Sequence, residues 1–128
     1  MTIKKIISIV GGGAVGVSLL YQIIKKNTGS YCIPNLEINI FEKKSKLGRG
    51  LAYAEDSDVN LLNRPADTMS AIYGNPQDFM QWLTNNKQWR DSYPNLMIDK
   101  NSDLFLPRSL FGMYLESLFN DAMVIAKK

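Results

Sequence analysis

The alternation of apolar and polar positions predicts a strand, a helix and a second strand in the first 41 residues. Residues 6–10 are an uncharged run of mostly β-branched side chains, which is typical of a buried strand. Residues 15–24 repeat apolar side chains at helical spacing, and Lys25 and Lys26 precede a helix stop at residues 27–30. Residues 37–41 alternate, and this pattern predicts the second strand.

Two further helices are predicted in the second half of the chain. Asn75 and Pro76 are read as an N-cap and first-turn pair, and residues 79–83 supply an apolar face that we assign to the core. A last helix opens at residues 106–109 and keeps helical spacing to Ile125, with Gly112 explained by close packing. Residues 55–70 and 89–105 show little periodicity. The first of these irregular segments is a candidate functional loop.

The first strand leads directly into a glycine motif, and the helix follows at once. Gly11, Gly13 and Gly16 have the spacing Gly-x-Gly-x-x-Gly. In a dinucleotide-binding βαβ unit the first glycine turns the chain, the second lets backbone N–H groups approach a pyrophosphate, and the third allows close helix–strand packing. The helix N-terminus then offers free N–H groups and the positive end of its dipole to the phosphates.

An acidic residue, Glu42, stands immediately after the second predicted strand. At this position in a dinucleotide-binding fold a carboxylate accepts hydrogen bonds from ribose hydroxyls. Glu42 follows Gly16 by 26 residues, more than the usual ~20, and a long loop at residues 29–35 accounts for the excess. A negative charge here disfavours a 2′-phosphate. A solvated glutamate at a strand end is the alternative interpretation.

Two arginines are candidates for contact with an anionic ligand. Gly48 and Gly50 flank Arg49 in a flexible loop that could bring N–H groups and a guanidinium to an anion, or could be an exposed basic loop. Arg108, in the first turn of the last predicted helix, either reaches a ligand or lies on the surface. The sequence alone leaves both alternatives open.

Composition limits the chemistry that these candidates can perform. The chain has 128 residues, 45% hydrophobic and 21% charged, which predicts one globular domain over residues 1–128. The net charge of +3 comes from scattered lysine pairs without interleaved aromatics, so no nucleic-acid partner is expected. Histidine is absent, which excludes Ser-His and Cys-His catalysis and His-ligated metal sites within the chain, and no metal site is expected. Redox chemistry would therefore come from a cofactor or another polypeptide.

Two features bear on the cellular location. Cys32 is the one cysteine, which rules out an intrachain disulfide and fits a reducing, cytoplasmic compartment. Residues 6–24 are uncharged and flanked by lysine pairs, which is also the outline of a signal peptide or a membrane span. The glycines, the Tyr21-Gln22 pair and the lack of an Ala-x-Ala cleavage signal favour a strand and helix instead. No membrane partner is expected.

The predicted sheet has fewer strands than a doubly wound fold needs. Two strands suited to a parallel sheet are clear, and a helix occupies the place of a third crossover strand. We therefore expect an incomplete α/β fold: either a fragment, or a chain whose open sheet edge is covered by a second copy or a partner chain.

The motifs resemble those of FAD/NAD(P)-binding oxidoreductases, the flavoprotein superfamily with two dinucleotide-binding domains. The likeness is greatest to the FAD-NAD(P)-binding branch, which is distantly similar to flavin-dependent monooxygenases. It covers nearly the whole chain in six blocks: the Gly11–Gly16 motif after its strand, Glu42, and residues 48–53, 62–66 with 69–70, 79–83 and 107–115. The resemblance implies a Rossmann-like FAD/NAD(P)-binding fold, with a parallel sheet and crossover helices.

The resemblance also implies roles for particular residues. The glycine turn would hold the FAD pyrophosphate, the strand-end glutamate the adenosine ribose, and the glycine/arginine loop would line the cofactor. Asn63 would lie toward the flavin, and Arg108 would contact the cofactor. The full set of implied cofactor contacts is Gly11, Gly13, Ala14, Val15, Gly16, Glu42, Lys43, Gly48, Arg49, Gly50, Leu51, Asn63 and Arg108.

These implications lead to one function and two alternatives. The first is the FAD-binding part of a flavin-dependent oxidoreductase, either a monooxygenase or a related enzyme, with residues 1–128 as the N-terminal part of its FAD-binding Rossmann-like domain. NAD(P)H would be the reductant, bound outside this segment. The second is a non-catalytic dinucleotide-binding or interaction module. The third is a fragment of an NAD-dependent dehydrogenase. No catalytic side chain is assigned in any of them.

Overall fold

The computed structural model describes residues 3–99 and 104–127. Its regular elements are strand β1 (Lys5–Val10), helix α1 (Ala14–Asn27), strand β2 (Leu36–Phe41), a short 3-10 helix (Ala66–Thr68) and helices α2 (Asp78–Asn85), α3 (Trp89–Ser92) and α4 (Arg108–Ala126). The predicted order of strand, glycine turn, helix and strand is confirmed. The α/β, Rossmann-like class is confirmed with it.

Strands β1 and β2 form a parallel two-stranded sheet, with Lys5 opposite Leu36 and Val10 opposite Phe41. This register puts Ile7 and Ile9 beside Ile38 and Ile40 on one face of the sheet. Helices α1 and α4 cover that face, and their buried side chains complete a small apolar cluster. Helix α1 is the crossover that two adjacent parallel strands require.

A larger core lies between α4 and α2 and is rich in aromatic side chains. Phe79, Trp89 and Tyr114 are each at most 1% exposed, and the Phe79 ring meets the Phe111 ring edge to face at 4.9 Å. Burying an apolar side chain of this size stabilises the fold by roughly 1.5–3 kcal/mol relative to exposure. The core assignment of the residue 79–83 face is confirmed for Phe79 and Leu83, which are fully buried.

Local structure departs from the prediction around both short helices. Helix α2 begins at Asp78 with Gln77 as its N-cap, and the Asn75 amide instead donates to the Asp78 carboxylate at 3.2 Å. Residues 89–92, for which no regular structure was predicted, form α3. A single helical turn carries little periodic signal, and this one is held by burial of Trp89, whose Nε1 donates to the Leu83 carbonyl at 3.0 Å. Residues 100–103 of that segment lie outside the described part of the chain.

Helix α4 links the two cores and carries Gly112 against the loop that follows β2. A Cβ at Gly112 would lie 2.2 Å from the Tyr53 carbonyl oxygen, so the predicted close packing is confirmed. Because of this approach, residues 49–53 are held between α4 and the start of α1. Among the described residues, no helix is both long enough and apolar enough to cross a membrane.

Candidate functional site

The glycine turn joins β1 to α1 by a path that two of its glycines make possible. Gly11 has a φ of 99°, which L side chains rarely adopt, and its N–H donates to the Phe41 carbonyl at 2.8 Å. A Cβ at Gly16 would lie 2.0 Å from the Gly11 oxygen. Gly11 and Gly16 are therefore required by the protein's own backbone, whatever the turn binds.

Gly13, the middle glycine of the motif, differs from Gly11 and Gly16 because the protein's own backbone does not require a glycine there. It is the N-cap of α1 with a φ of −80°, an ordinary value, and a Cβ there would lie 3.4 Å from the nearest atom, Cα of Gly50. No side chain in the described part of the chain caps α1. The first N–H groups of α1 are thus open to a ligand, and they carry the positive end of the helix dipole.

The Glu42 carboxylate is fastened to the glycine turn by backbone hydrogen bonds. One oxygen, Oε1, accepts from the Lys44 N–H at 2.9 Å, and Oε2 accepts from the Gly12 N–H at 2.8 Å. These bonds, the one from Lys44 first, hold the pKa of Glu42 below its usual range. A charged acceptor with lone pairs to spare is therefore fixed next to the turn.

The second glycine loop, residues 48–50, packs against both the turn and α4. The Gly48 N–H donates to the Gly12 carbonyl at 2.6 Å. Gly48 has a φ of 111°, and a Cβ there would lie 2.8 Å from the backbone nitrogen of Glu116 in α4. Gly50 has a φ of 59° and touches Gly13. The loop's glycines serve close packing.

Arg49 is turned into the protein, unlike the ligand-facing guanidinium considered from sequence. Its Nε donates to Glu116 Oε1 at 2.7 Å, and its terminal nitrogens reach Glu116 Oε2 and the Ser109 carbonyl, both at 3.3 Å. The Arg49 side chain is only 11% exposed. This bidentate ion pair joins the loop to α4. Because the positive charge of Arg49 is paired with Glu116, it is not available to an anionic ligand.

Two clefts flank the start of α1. The turn cleft, of about 670 Å³, is lined by the β1 edge, the glycine turn, Leu19 and residues 49–53. The side cleft, of about 520 Å³, lies between one side of α1 and residues 64–71. Its lining is Ala14, Val15, Ser18, Leu19, Gln22, Tyr53, Arg64, Thr68, Met69, Ser70, Ala71 and Phe111. The clefts share Ala14, Val15, Leu19 and Tyr53 and so adjoin each other.

Comparison with known proteins identifies the family. The family model described as FAD-NAD(P)-binding matches residues 8–128. The chain belongs to this FAD-NAD(P)-binding family. It is also 31% identical over 121 residues to the uncharacterized protein YdhS of Escherichia coli (strain K12), an alignment that covers 90% of this chain and 20% of YdhS. The chain thus spans about a fifth of the length of the curated relative it matches.

Within this FAD-NAD(P)-binding domain the residues singled out from sequence fall into three groups. Those that line the turn cleft are Gly11, Gly13, Ala14, Val15, Gly16, Arg49, Gly50 and Leu51. Glu42 and Gly48 bond directly to the turn at Gly12. Lys43, Asn63 and Arg108 line neither cleft. Arg108 Nε donates to the Leu61 carbonyl at 3.2 Å, and this bond helps to join the residue 61 segment to α4.

The side cleft contributes residues that sequence reasoning did not single out. Tyr53, Arg64, Met69 and Ser70 line it, and all four lie within blocks on which the resemblance rests. For Arg64, Met69 and Ser70 the signal in the sequence was the irregular segment at residues 55–70, which indicated a functional loop without indicating which side chains face a ligand.

The turn has the features needed to bind the pyrophosphate of a dinucleotide, the class of cofactor for which the FAD-NAD(P)-binding family is named. Gly13 leaves room for a phosphate against the backbone, and the open N–H groups of α1 supply donors and partial positive charge. The Glu42 carboxylate supplies an acceptor for hydroxyl groups. The predicted contact Lys43 is the next residue in the chain. Together these groups can bind an anion on one side and a sugar on the other.

Proposed function

We propose that this chain is the FAD-binding portion of a flavin-dependent, NAD(P)H-linked oxidoreductase. The FAD pyrophosphate would lie at the start of α1 against Gly13, Ala14 and Val15, with the adenosine ribose toward Glu42. Residues 50 and 51 would line the cofactor from the opposite wall of the turn cleft. NAD(P)H would bind outside this segment.

Gly13 is the observation that carries the proposal. Its φ of −80° and the 3.4 Å clearance around a Cβ give the folded chain no reason of its own for a glycine. A ligand that must approach the backbone closely supplies that reason, because any side chain would occupy the ligand's space. The open N-terminal N–H groups of α1 favour an anion as that ligand.

Glu42 narrows the choice among dinucleotides. Two backbone N–H groups favour the charged form of its carboxylate, whose oxygens could also accept hydrogen bonds from the two ribose hydroxyls. The same charge repels a 2′-phosphate. FAD and NAD therefore suit this turn better than NADP, and the resemblance to flavoproteins favours FAD.

In this proposal the chain supplies binding and orientation, and the flavin carries the electrons. The sequence contains no histidine, and we assign no catalytic side chain. Monooxygenation is one of the reactions that such a flavoprotein could perform. We propose no particular substrate or electron acceptor, because these are properties of the whole protein.

FAD titration of the purified chain tests the proposal. We expect saturable binding, followed by visible flavin absorbance, and at least about tenfold weaker binding in Gly13→Val, since tenfold corresponds to about 1.4 kcal/mol of lost contact. Gly29→Val is the matched control, because Gly29 has ordinary backbone geometry and its nearest atom lies 3.8 Å from a Cβ. It should bind FAD as the parent does.

Three results would contradict the proposal. Unchanged FAD affinity in a folded Gly13→Val variant would remove the turn from the binding site. Saturation by NADH without FAD binding would favour a dehydrogenase fragment. Failure of the parent to bind either cofactor would favour a non-catalytic module or a partner-completed site.

A further inference from the structure

One wall of the side cleft belongs to an irregular segment, residues 69–73, which we call the strap. Before it, Ala66 is fully buried and its N–H donates to the Leu104 carbonyl at 2.9 Å. After it, Gly74 has a φ of 82°, and a Cβ there would meet no atom within 4 Å. The strap is therefore anchored before its start and followed by a glycine with open space around it.

Hydrogen bonds within the segment give the strap its own shape. The Ile72 N–H donates to the Ser70 hydroxyl at 2.9 Å, and the Asn75 N–H donates to the Ile72 carbonyl at 3.4 Å. The Met69 N–H donates to the Ala66 carbonyl at 3.3 Å. Such local bonds keep a short loop compact but do not attach it to the rest of the fold.

Two side chains on helices attach the strap to the protein. The Ser18 hydroxyl of α1 donates to the Ala71 carbonyl at 2.5 Å, and the Ala71 N–H donates to the Tyr114 hydroxyl of α4 at 3.1 Å. The Ser70 hydroxyl interacts with the Tyr114 hydroxyl as well. Within residues 3–99 and 104–127, no other hydrogen bond joins the strap to a residue outside 65–75. Most of the attachment therefore depends on the backbone of one residue, Ala71.

The Tyr114 hydroxyl also connects the strap to a carboxylate of α2. It donates to Asp78 Oδ2 at 2.7 Å, which leaves its oxygen to accept from the Ala71 N–H. Burial first, and then the bond to Asp78, raise the pKa of Tyr114, so the phenol keeps the proton that it donates. Because hydrogen bonds in series polarise one another, the bond to Asp78 strengthens the one from Ala71.

The strap is held less firmly than the two helices to which it is attached. Tyr114 is 1% exposed, and its ring packs against the Phe79 ring at 5.2 Å. In the strap, by contrast, Ala71 and Ile72 are only partly buried and Tyr73 is 89% exposed. A segment with few buried contacts and few bonds to its surroundings opens at a lower free energy than the whole fold.

We propose that the strap is a movable wall: its bonds to Ser18 and Tyr114 hold it closed against α1, and their release opens the side cleft. Ala14 and Val15, in the first turn of α1, line both clefts. An open strap thus exposes the start of α1 from its side as well as from the turn cleft. The strap opens in this way whichever molecule the turn binds.

Hydrogen exchange of the cofactor-free chain, read at single amides by NMR, tests the movement. Ser18→Ala removes the bond to the Ala71 carbonyl and leaves the bond from the Ala71 N–H in place. We expect it to speed exchange of the Ala71 amide about fivefold, the scale of one hydrogen bond of about 1 kcal/mol. The Ile9 amide in β1 should keep the parent rate. Thr84→Val is the matched control, because its hydroxyl donates to the Met80 carbonyl inside α2.

Thiol labelling gives a second measurement with a different variant. Gln22→Cys introduces a thiol on the α1 wall of the side cleft, and Cys32→Ser removes the exposed native thiol. In this background we expect Tyr114→Phe to speed reaction with dithionitrobenzoate about tenfold, since the strap loses its bond to α4 while the ring still fills the core. Tyr93→Phe is the control: its hydroxyl bonds to Ser109, so the labelling rate should not change.

The outcomes decide between a movable strap and a merely structural set of hydrogen bonds. Faster exchange at Ala71 alone, together with faster labelling in Tyr114→Phe, supports the strap. The proposal is overturned if Ser18→Ala leaves the Ala71 amide at the parent rate, or if the Ala71 and Ile9 amides speed up equally. It is also overturned if Tyr114→Phe labels no faster than its background. Both measurements use the cofactor-free chain, so a failure of FAD binding would not affect them.

Discussion

The two glycine-rich loops of this protein differ in what their tertiary contacts leave open. In the first, at residues 11–16, Gly13 is free of backbone or packing demands and the N–H groups of α1 are left open. In the second, at residues 48–50, position 48 must be glycine because a Cβ would collide with the backbone of α4, and Arg49 is paired with Glu116. Glycine and arginine in a loop therefore indicate a ligand site only when tertiary contacts leave their polar groups unpaired.

The contrast assigns complementary tasks to the two loops. Under the proposed function the first loop would present donors to the cofactor, and the second loop supports the first through the Gly48 N–H bond to Gly12. Substitution of Gly13 in the first loop should change binding, whereas substitutions at Gly16 and in the second loop should mainly change stability. Four variants, from the largest expected effect to the smallest, test this division.

Gly16→Ala should have the largest effect. Its Cβ would lie 2.0 Å from a backbone oxygen that no side-chain rotation can move, so the β1–α1 junction must shift. We expect the free energy of unfolding to fall by about 3 kcal/mol or more, measured by urea denaturation followed by circular dichroism. Gly29→Ala, with 3.8 Å of clearance, is the control and should change it little. A loss below about 1 kcal/mol for Gly16→Ala would mean that the junction is not tightly packed.

Glu116→Gln should rank second. It removes the charge that pairs with the 11% exposed Arg49 side chain, and we expect a loss of about 1–3 kcal/mol in the free energy of unfolding. FAD affinity measured in the same variant should stay close to the parent value if Arg49 only supports the loop. Glu55→Gln, at an exposed carboxylate 4.0 Å from Arg49, is the control for charge removal. An affinity change in Glu116→Gln larger than its stability change would place Arg49 among the ligand contacts.

Gly50→Ala should cost less, about 1 kcal/mol, because the φ of 59° strains an L side chain while the nearest atom is 3.2 Å away. Gly50→Asn should cost less again, since asparagine tolerates left-handed backbone better than alanine. Thermal unfolding of both variants checks the order. Equal melting temperatures would show that contact with Gly13, and not the backbone angle, decides the cost.

Glu42→Gln should give the smallest stability effect and a clear pH signature. The folded pKa of Glu42 is lowered, so its stabilising contribution is fully present above the unfolded pKa, about 4.3, and is lost as pH falls through the folded value. The parent should therefore be more stable than Glu42→Gln near neutral pH, and the difference in melting temperature should shrink below about pH 4. A difference that does not change with pH would mean that the charge on Glu42 contributes nothing to the turn.

Much of the βαβ unit could be predicted from the sequence because its signals are local. The strand run at residues 6–10, the helical spacing after Gly16 and the alternation at residues 37–41 each act within one element, and all three elements are confirmed. The close approach at Gly112 was also predicted, since a glycine inside a helix weakens the helix and is favoured where another segment packs closely against it. Helix α3 was missed because it depends on the burial of Trp89, which is a tertiary contact.

By itself, the sequence determined the α/β class, the position of the glycine turn and the acidic residue that follows β2. Only the tertiary structure decided which charges remain available. It pairs Arg49 with Glu116 across 67 residues, directs Arg108 to the Leu61 carbonyl, and leaves Arg64 in a cleft without a partner among the described residues. The physical reason is that an arginine's role depends on the nearest acceptor in space, and folding, not chain order, selects that acceptor.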